Sequence, residues 1–321
     1  MVAQRTMPTA LAHPLRYRED RLIIDFHTHI GDLRVKPSDP QEPVTWQNLI
    51  ARLDEEGIDK AVLLPIYASP EAIYPGCILN ERISIHDQVL DAARYRERII
   101  PFGNLDPRWM RNDPSGDFNI LIDWFLSHCC QGIGEITANI PFDDPRVINM
   151  FRQIGQRHLA VVFHGCGFAS GAYGLQDDPG APRLERLLQA APMTRMIGHG
   201  PGFWAEISAV VSPEDKMGYP KGPIPDEGAL PRLLRLYPNL YADISAGSGY
   251  NGLTRDPEYG VRFLDEFQDR VVFATDVCSA DAGGRMPHLS YLRQLLANGK
   301  LSQSAFAKIT GGNALRLLQE S

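Results

Sequence analysis

Two histidines stand one residue apart at the end of an apolar stretch near the start of this 321-residue chain. The stretch, Leu22 to Ile30, has the length and composition of a buried strand, and the histidines are His27 and His29. Because alternate side chains of a strand point to the same face, the two imidazoles are expected to lie side by side. A pair of imidazoles at the end of a strand supplies half of a metal site.

Further side chains that could bind a metal stand at the ends of later apolar stretches. They are Glu135, His164, His199 and Asp276. If these stretches are parallel strands of one barrel, their carboxyl ends meet at one face, and the four side chains should converge on the two histidines. Imidazole and carboxylate ligands around an open position suit Zn²⁺ first, with Mn²⁺ and Fe²⁺ as further candidates.

The elements that must position these residues alternate between strand and helix. Eight strands are predicted, at residues 22–30, 61–66, 99–104, 132–136, 159–164, 195–199, 240–243 and 271–275. Helical patterns fall at residues 44–57, 80–98, 118–130, 145–157, 182–190, 229–237, 257–267, 287–297 and 303–318, the last with a kink at Gly311 to Asn313. This alternation predicts an α/β fold, a (β/α)₈ TIM barrel. The alternative is a doubly wound open sheet, but no G-x-G-x-x-G turn follows the first strand.

The barrel is predicted to be a single domain at residues 21–321, preceded by an N-terminal arm at residues 1–20. The segment 200–228, after the sixth strand, is rich in glycine and proline and too long for a plain connection. Two roles remain open for this segment: a lid over the site and a contact between subunits. Substrate contacts are expected from loops at the same face. The candidates are Tyr67, Asn104, Asp106, Asn139, Phe168, Trp204, Ser245, Tyr250 and Arg285.

Composition excludes several classes of partner. The formal charge is −7, from 32 lysines and arginines against 39 aspartates and glutamates, and the basic residues form no run. This argues against DNA, RNA or an anionic membrane surface as a partner. The five cysteines are an odd number without paired spacing, so they are expected to be reduced thiols. No stretch has the apolar length of a signal peptide or a membrane span, and the expected location is the cytoplasm.

The motifs resemble those of the amidohydrolase superfamily over residues 22–318. The likeness rests on Asp25-Phe26-His27-Thr28-His29, on His164 and His199, and on Ala274-Thr275-Asp276. Within the superfamily the chain is most similar to the amidohydrolase-related (amidohydrolase 2) family, which also contains decarboxylases of aminocarboxymuconate semialdehyde and of resorcylate. The ending, residues 309–318, is similar to the tail of that group.

One departure from the superfamily limits the metal centre. Members with two metals bridged by a carbamylated lysine need that lysine at the end of strand four, yet no lysine occurs between Lys60 and Lys216. Glu135 stands in its place, as a glutamate does in the TatD-like deoxyribonucleases, where it helps to hold a second metal. Two roles are therefore open for Glu135: a ligand of a second metal, or a carboxylate that orients a histidine.

The resemblance also implies a mechanism. The metal ligands that it implies are His27, His29, His164 and Asp276. The metal would lower the pKa of water, Asp276 would carry the proton to the leaving group, and His199 would stabilise an oxyanion or bind a second ion.

The expected function is therefore metal-dependent hydrolysis of a small ester, lactone or amide. One alternative is a metal-dependent decarboxylase of a small carboxylated aromatic or unsaturated acid, with Arg285 binding the carboxylate. A TatD-like nuclease is a further alternative, against which the negative charge counts. By resemblance the enzyme is expected to act on a small molecule as a homodimer.

Overall fold

The computed structural model describes residues 22–33, 41–66, 84–168, 173–281 and 286–319. These residues contain the strands β1 (Ile24–Thr28), β2 (Lys60–Leu63), β3 (Ile99–Pro101), β4 (Gly132–Ile136), β5 (Ala160–Cys166), β6 (Leu175–Gln176), β7 (Arg195–His199), β8 (Leu240–Asp243) and β9 (Val271–Val272). They pair in parallel in the orders β1-β2-β3 and β4-β5-β7-β8-β9, and the two-residue β6 pairs with β5. The predicted arm at residues 1–20 lies outside the described residues.

Isolated bridges join the two sheets into a closed barrel. On one side Gly103, just after β3, pairs with Ile133 of β4. On the other side Thr28 of β1 pairs with Val277, and the amide of Phe26 donates to the carbonyl of Phe273 at 3.0 Å. Apart from β6, eight parallel strands close on themselves, and the predicted (β/α)₈ TIM barrel is confirmed. The sixth, seventh and eighth predicted strands are β7, β8 and β9.

The helices lie between the strands and after them. They are α1 (Trp46–Glu56), α2 (Ile85–Ala92), α3 (Asn119–Ser127), α4 (Pro145–Gln156), α5 (Pro182–Ala190), α6 (Pro201–Trp204), α7 (Ala229–Leu236), α8 (Ala246–Thr254), α9 (Pro257–Glu266), α10 (His288–Ala297), α11 (Gln303–Ala307) and α12 (Asn313–Gln319). A π-helical turn, Lys308–Gly312, separates α11 from α12 close to the predicted kink. No helix of the described residues has the length and apolar character needed to cross a membrane.

Local sequence sets where several helices begin. Thr45 and Ser84 each form a capping box with the residue three positions later. Asp144 and Asp256 accept hydrogen bonds from first-turn amides, and each is followed by a proline whose missing N–H costs nothing there. These caps fix the residues at which α1, α2, α4 and α9 begin.

Two apolar layers hold the barrel. The outer layer packs the helices against the outward side chains of the strands. The inner layer fills the barrel with the alternate side chains Ile24, Phe26, Val62, Leu64, Ile100, Phe102, Val162, Ile197, Tyr241 and Ala274. Leu317 and Leu318 of α12 pack against this inner layer at the amino end of the strands. The carboxyl end is left to polar side chains.

Candidate metal centre

Six side chains from the sequence analysis come together at the carboxyl end of the barrel. They are His27, His29, Glu135, His164, His199 and Asp276. On β5 and β7 the inner apolar positions Val162 and Ile197 are each followed two residues later by a histidine of this set, so simple alternation turns His164 and His199 inward. Asp276 lies beyond β9, two residues after the inner side chain of Ala274.

His27, His29 and Glu135 face the centre because the strands that lead to them are irregular. The register of β1 shifts between Asp25 and Thr28, and that of β4 shifts between Ile133 and Ile136. Such bulges re-aim side chains and are common beside active sites. Regular alternation would turn His27, His29 and Glu135 towards the helices, and the shifts turn them into the barrel mouth.

His27 and His29 form the first pair of donors. Their Nε2 atoms lie 3.0 Å apart. Asp276 Oδ1 lies 3.1 Å from His29 Nε2 and 3.7 Å from His27 Nε2. Glu135 Oε2 lies 3.6 Å and 3.8 Å from the Nε2 atoms of His27 and His29. Two nitrogens and two oxygens therefore face one point.

His164 and His199 form the second pair. Glu135 Oε1 lies 2.8 Å from His164 Nδ1 and 3.6 Å from His199 Nε2. Asp276 Oδ2 lies 3.5 Å from His199 Nε2. Glu135 therefore presents Oε2 to His27 and His29 and Oε1 to His164 and His199. Asp276 presents Oδ1 to His27 and His29 and Oδ2 to His199.

The chemistry of this donor set fits a divalent metal. Two imidazole nitrogens that lie 3.0 Å apart can share only one proton between them, and two carboxylate oxygens approach the same nitrogens. The carboxylates bring negative charge into a buried site, where an uncompensated charge is costly. A divalent ion between these nitrogens and oxygens would compensate that charge with ligands that such ions prefer.

The charged groups shift one another's protonation. Burial lowers the pKa of His27, but the carboxylates of Asp243 and Asp276 outweigh it and raise the pKa well above its usual value. Burial and the nearby His27 lower the pKa of His199 to about 4. Burial raises the pKa of Glu135, yet its hydrogen bonds to His164 and His27 hold that pKa well below the usual range. The pairs therefore combine anionic carboxylates with a neutral His199.

The Nδ1 atoms of His27, His29 and His199 each contact a group on the side away from the centre. Asp243 Oδ2 lies 2.6 Å from His27 Nδ1, and Ser245 Oγ lies 2.8 Å from His199 Nδ1. The Nδ1–H of His29 donates to the carbonyl of Leu64 at 2.7 Å. Asp243 was absent from the sequence candidates, although it ends a predicted strand just as the other site carboxylates do. Ser245, a predicted substrate contact, lies against Nδ1 of His199.

Among the described residues, Asn104, Asp106, Asn139, Phe168, Trp204 and Tyr250 do not line the cavity that opens beside the centre. Asn104 donates to the carbonyls of Pro65 and Glu135 at 2.6 and 3.0 Å, so it braces the backbone beside Glu135. Trp204 is 2% exposed, and its indole N–H donates to the carbonyl of Asp243 at 2.8 Å. Tyr67 and Arg285 lie outside the described residues.

A cavity of about 270 Å³ opens beside the centre. Asp276, Tyr173 and Cys166 line it, and Met217 and Tyr219 of the segment 200–228 form another part of its wall. Lys216 anchors that segment through hydrogen bonds to Glu206 Oε1 at 2.5 Å and to the carbonyl of Gly202 at 3.0 Å. The described segment is thus a packed wall with short helical turns at Pro201–Trp204, Ala205–Ile207 and Asp215–Met217.

Comparison with known proteins gives one family match and several structural likenesses. Residues 180–319 match the model of the family described as Amidohydrolase. No curated protein matches the chain. An uncharacterized TIM-barrel protein from Bordetella bronchiseptica has a TM-score of 0.64 and 16% identity over 94% of this chain and 99% of its own.

Two enzymes are among the other similar structures. A probable 2-pyrone-4,6-dicarboxylic acid hydrolase from Acinetobacter baumannii, with citric acid bound, has a TM-score of 0.57 and 14% identity over 93% of this chain and 100% of its own. A dihydroxybenzoic acid decarboxylase from Polaromonas, with bound manganese and the inhibitor 2-nitroresorcinol, has a TM-score of 0.53 and 14% identity over 93% and 97%. At such identities these likenesses establish the barrel fold.

Proposed function

Since the chain belongs to the amidohydrolase superfamily, we propose that it is a metal-dependent hydrolase of a small ester, lactone or amide. The observation that carries the proposal is the position of Glu135 and Asp276. Oxygens of both carboxylates lie between the pair His27 and His29 and the pair that includes His199. Shared carboxylates between two sets of nitrogens suit two adjacent divalent ions, an arrangement used to activate water for hydrolysis.

The residues that would hold the ions divide into two groups. His27 and His29 would hold the first, and His164 and His199 the second, with Glu135 and Asp276 shared. Zn²⁺ is the ion that we propose, with Mn²⁺ or Fe²⁺ as alternatives. When bound, such ions polarise a carbonyl group and lower the pKa of water from about 15.7 towards 7.

Asp276 is the residue best placed to move a proton. Burial raises its pKa, but the charges of His27 and His29 outweigh this, so the pKa stays below its usual range. At 15% its side chain is the most exposed of the six, and it lines the cavity. An Asp276 oxygen would accept the proton of the attacking water and deliver it to the leaving group.

A decarboxylase is the second candidate. It is favoured by the likeness to barrels described as decarboxylases of carboxylated aromatics. Such a reaction needs a cation for the substrate carboxylate, and Arg285 is the residue that we propose for it. Release of carbon dioxide from dihydroxybenzoates, without hydrolysis of esters or lactones, would decide for this candidate.

Metal content and hydrolysis, measured together, test the proposal. Protein purified without chelator should carry about two transition-metal ions per chain and hydrolyse p-nitrophenyl acetate or a small lactone such as dihydrocoumarin. His27→Ala/His29→Ala should lose both the metal and the activity, because it removes two nitrogens of one group. The matched control is His86→Ala/His128→Ala, in which both histidines contact Trp124 in the helical layer, His86 edge to face and His128 by stacking.

Three outcomes would separate the alternatives. One ion per chain would make Glu135 an orienting carboxylate rather than a shared ligand. No binding of Zn²⁺ or Mn²⁺ after reconstitution would end the proposal of a metal centre. Metal binding without turnover of any ester, lactone or amide would refute the hydrolase and leave the metal centre standing.

A further inference from the structure

We infer that Asp243 and Ser245 are positioning residues that aim one histidine of each pair at the metal centre. Asp243 is the last residue of β8 and Ser245 lies two residues later, and each contacts the Nδ1 atom of a different imidazole. The inference rests on the proposed function in so far as it concerns metal affinity. The hydrogen bonds themselves exist without a bound ion and can be tested without one.

Asp243 has a contact at each of its carboxylate oxygens. Its Oδ2 lies 2.6 Å from His27 Nδ1, and both side chains are completely buried. Its Oδ1 accepts from the amide of Ser245 at 2.7 Å. A carboxylate without exposure has to be stabilised by such partners. The Nδ1–H of His27 therefore donates to Asp243, which leaves Nε2 of His27 to face His29.

The backbone of Asp243 is itself held in place. The indole N–H of Trp204 donates to the Asp243 carbonyl at 2.8 Å, and Trp204 packs against Phe263 with ring centroids 5.8 Å apart. This contact gives Trp204 a role behind the centre. The orientation of His27 thus depends on a continuous set of buried contacts from α6 to β8.

The hydroxyl of Ser245 is turned away from its ordinary partner. Ser245 is the N-cap residue of α8, where a serine commonly accepts a hydrogen bond from a first-turn amide. Among the described residues, no amide of α8 donates to its side chain. Its Oγ lies instead 2.8 Å from His199 Nδ1 and 3.4 Å from His27 Nδ1. Helix α8 therefore lacks the stabilisation of a side-chain N-cap, and the Ser245 hydroxyl contacts His199 in its place.

The two contacts have a common consequence. We assign the Nδ1 proton of His199 to its hydrogen bond with Ser245 Oγ, because Nε2 of the same ring faces Glu135 and Asp276 at 3.6 and 3.5 Å. Histidines that bind metals usually donate their other N–H to such partners, which fixes the ring and its tautomer. One short stretch of chain after β8 therefore orients a nitrogen donor for each of the two groups.

The test compares Asp243→Asn, Ser245→Ala and Ser245→Thr with the wild type. The matched control is Asp177→Asn, which alters another buried carboxylate that accepts amide hydrogen bonds, at the start of α5. The first readout is the NMR signals of the imidazole Nδ1–H protons in ¹⁵N-histidine-labelled, metal-free protein. The His29 signal, whose partner is the Leu64 carbonyl, serves as the internal reference. Circular dichroism checks that each variant is folded.

Each variant should change one histidine. Asp243→Asn should move or abolish the deshielded Nδ1–H signal of His27, and Ser245→Ala should do so for His199, while Ser245→Thr should retain both. In competition with a chelator, Asp243→Asn should weaken the ion held by His27 and His29 by about 10- to 100-fold. Ser245→Ala should weaken the other ion by a similar factor, and Asp177→Asn should leave both unchanged.

Wild-type Nδ1–H signals in folded Asp243→Asn and Ser245→Ala protein would overturn the inference. So would wild-type metal affinities in both variants when the wild-type chain binds metal. A wild-type chain that binds no divalent ion would defeat the proposed function alone. The NMR comparison in the metal-free proteins would then still decide whether Asp243 and Ser245 orient the two histidines.

Discussion

Glu135 is the residue on which the choice between one ion and two depends. Its Oε2 faces the pair His27 and His29, and its Oε1 faces His164 and His199. If it merely oriented a histidine, the 2.8 Å contact with His164 would suffice, and the second oxygen would need no position between the other imidazoles.

Glu135→Gln should therefore lower the number of bound ions from about two to one. Glutamine keeps the shape of the side chain but loses its charge and replaces one oxygen with an amide group that cannot bind a cation. We expect hydrolytic activity to fall by at least about 100-fold, the upper range for loss of a group that supports a metal site. Metal analysis and kcat measure the two effects. A variant with two ions and wild-type kcat would remove Glu135 from the centre.

The sequence predicts which metal-binding side chains lie at the strand ends, but it does not predict which of them contact one another. His164 and His199 obey the period of two that connects an apolar strand to its last inward residue, whereas Asp276 lies beyond β9 with a φ of 56°. His27, His29 and Glu135 reach the centre through register shifts in β1 and β4, which depend on pairing with neighbouring strands. Asp243 was overlooked because it was counted as the end of a strand and not weighed as a partner of a histidine.

The carboxyl group of Asp177, shortly before α5, has a raised pKa. Asp177 accepts hydrogen bonds from the amides of Arg183 and Leu184 and is 2% exposed. Burial raises its pKa to about 6, although those amide hydrogen bonds act in the opposite direction. The ordinary value for an aspartate is about 3.9, so the folded protein binds this proton more tightly than the unfolded chain.

This difference predicts how stability depends on pH. The contribution of Asp177 is fully present below about pH 4 and is lost as the pH rises through about 6. Relative to Asp177→Asn, which does not titrate, the wild type should lose about 2 kcal/mol of unfolding free energy between pH 4 and pH 7. Urea unfolding of both proteins at the two pH values measures it. An equal pH dependence in the two proteins would contradict the assignment.

The segment 200–228 is held by a buried ion pair. The Lys216 ammonium lies 2.5 Å from Glu206 Oε1, and Glu206 also accepts from the amide of Gly180. Lys216→Met should lower the unfolding free energy by about 3 to 5 kcal/mol, because it leaves a buried carboxylate without its cation. Glu206→Gln/Lys216→Met should recover much of that loss. Urea unfolding tests both, and a double variant as unstable as the single would rule out the ion pair as the cause.

At the scale of elements, regular repeats were predictable and their exceptions were not. Eight strands with helices between them followed from apolar runs, and the barrel was confirmed. The sequence analysis missed β6 and α8 because β6 has two residues and α8 begins with Ala-Gly-Ser-Gly, a composition typical of loops. The helical turns in the segment 200–228 are equally short, and their positions follow from tertiary contacts such as the Lys216 ion pair.

Metal binding should stabilise the whole molecule. An ion that binds only the folded state adds about 2.7 kcal/mol to the unfolding free energy when its free concentration is 100 times its Kd. Thermal unfolding of chelator-treated protein should therefore occur at a lower temperature and recover on addition of Zn²⁺ or Mn²⁺. The unfolding temperature of His27→Ala/His29→Ala should rise far less on addition of Zn²⁺ or Mn²⁺, because this variant lacks two of the ligands. An equal response in that variant would place the stabilising ion elsewhere.

The closure of the barrel by isolated bridges has a kinetic consequence. His27 and His29 belong to the sheet β1-β2-β3, whereas Glu135, His164 and His199 belong to the other sheet, and Gly103 and Thr28 each bridge the two. An ion between donors of both sheets would cross-link them and oppose their separation at the two bridges. Amide protons beside the bridges should therefore exchange with solvent more slowly in the metal-loaded protein than in the chelator-treated protein.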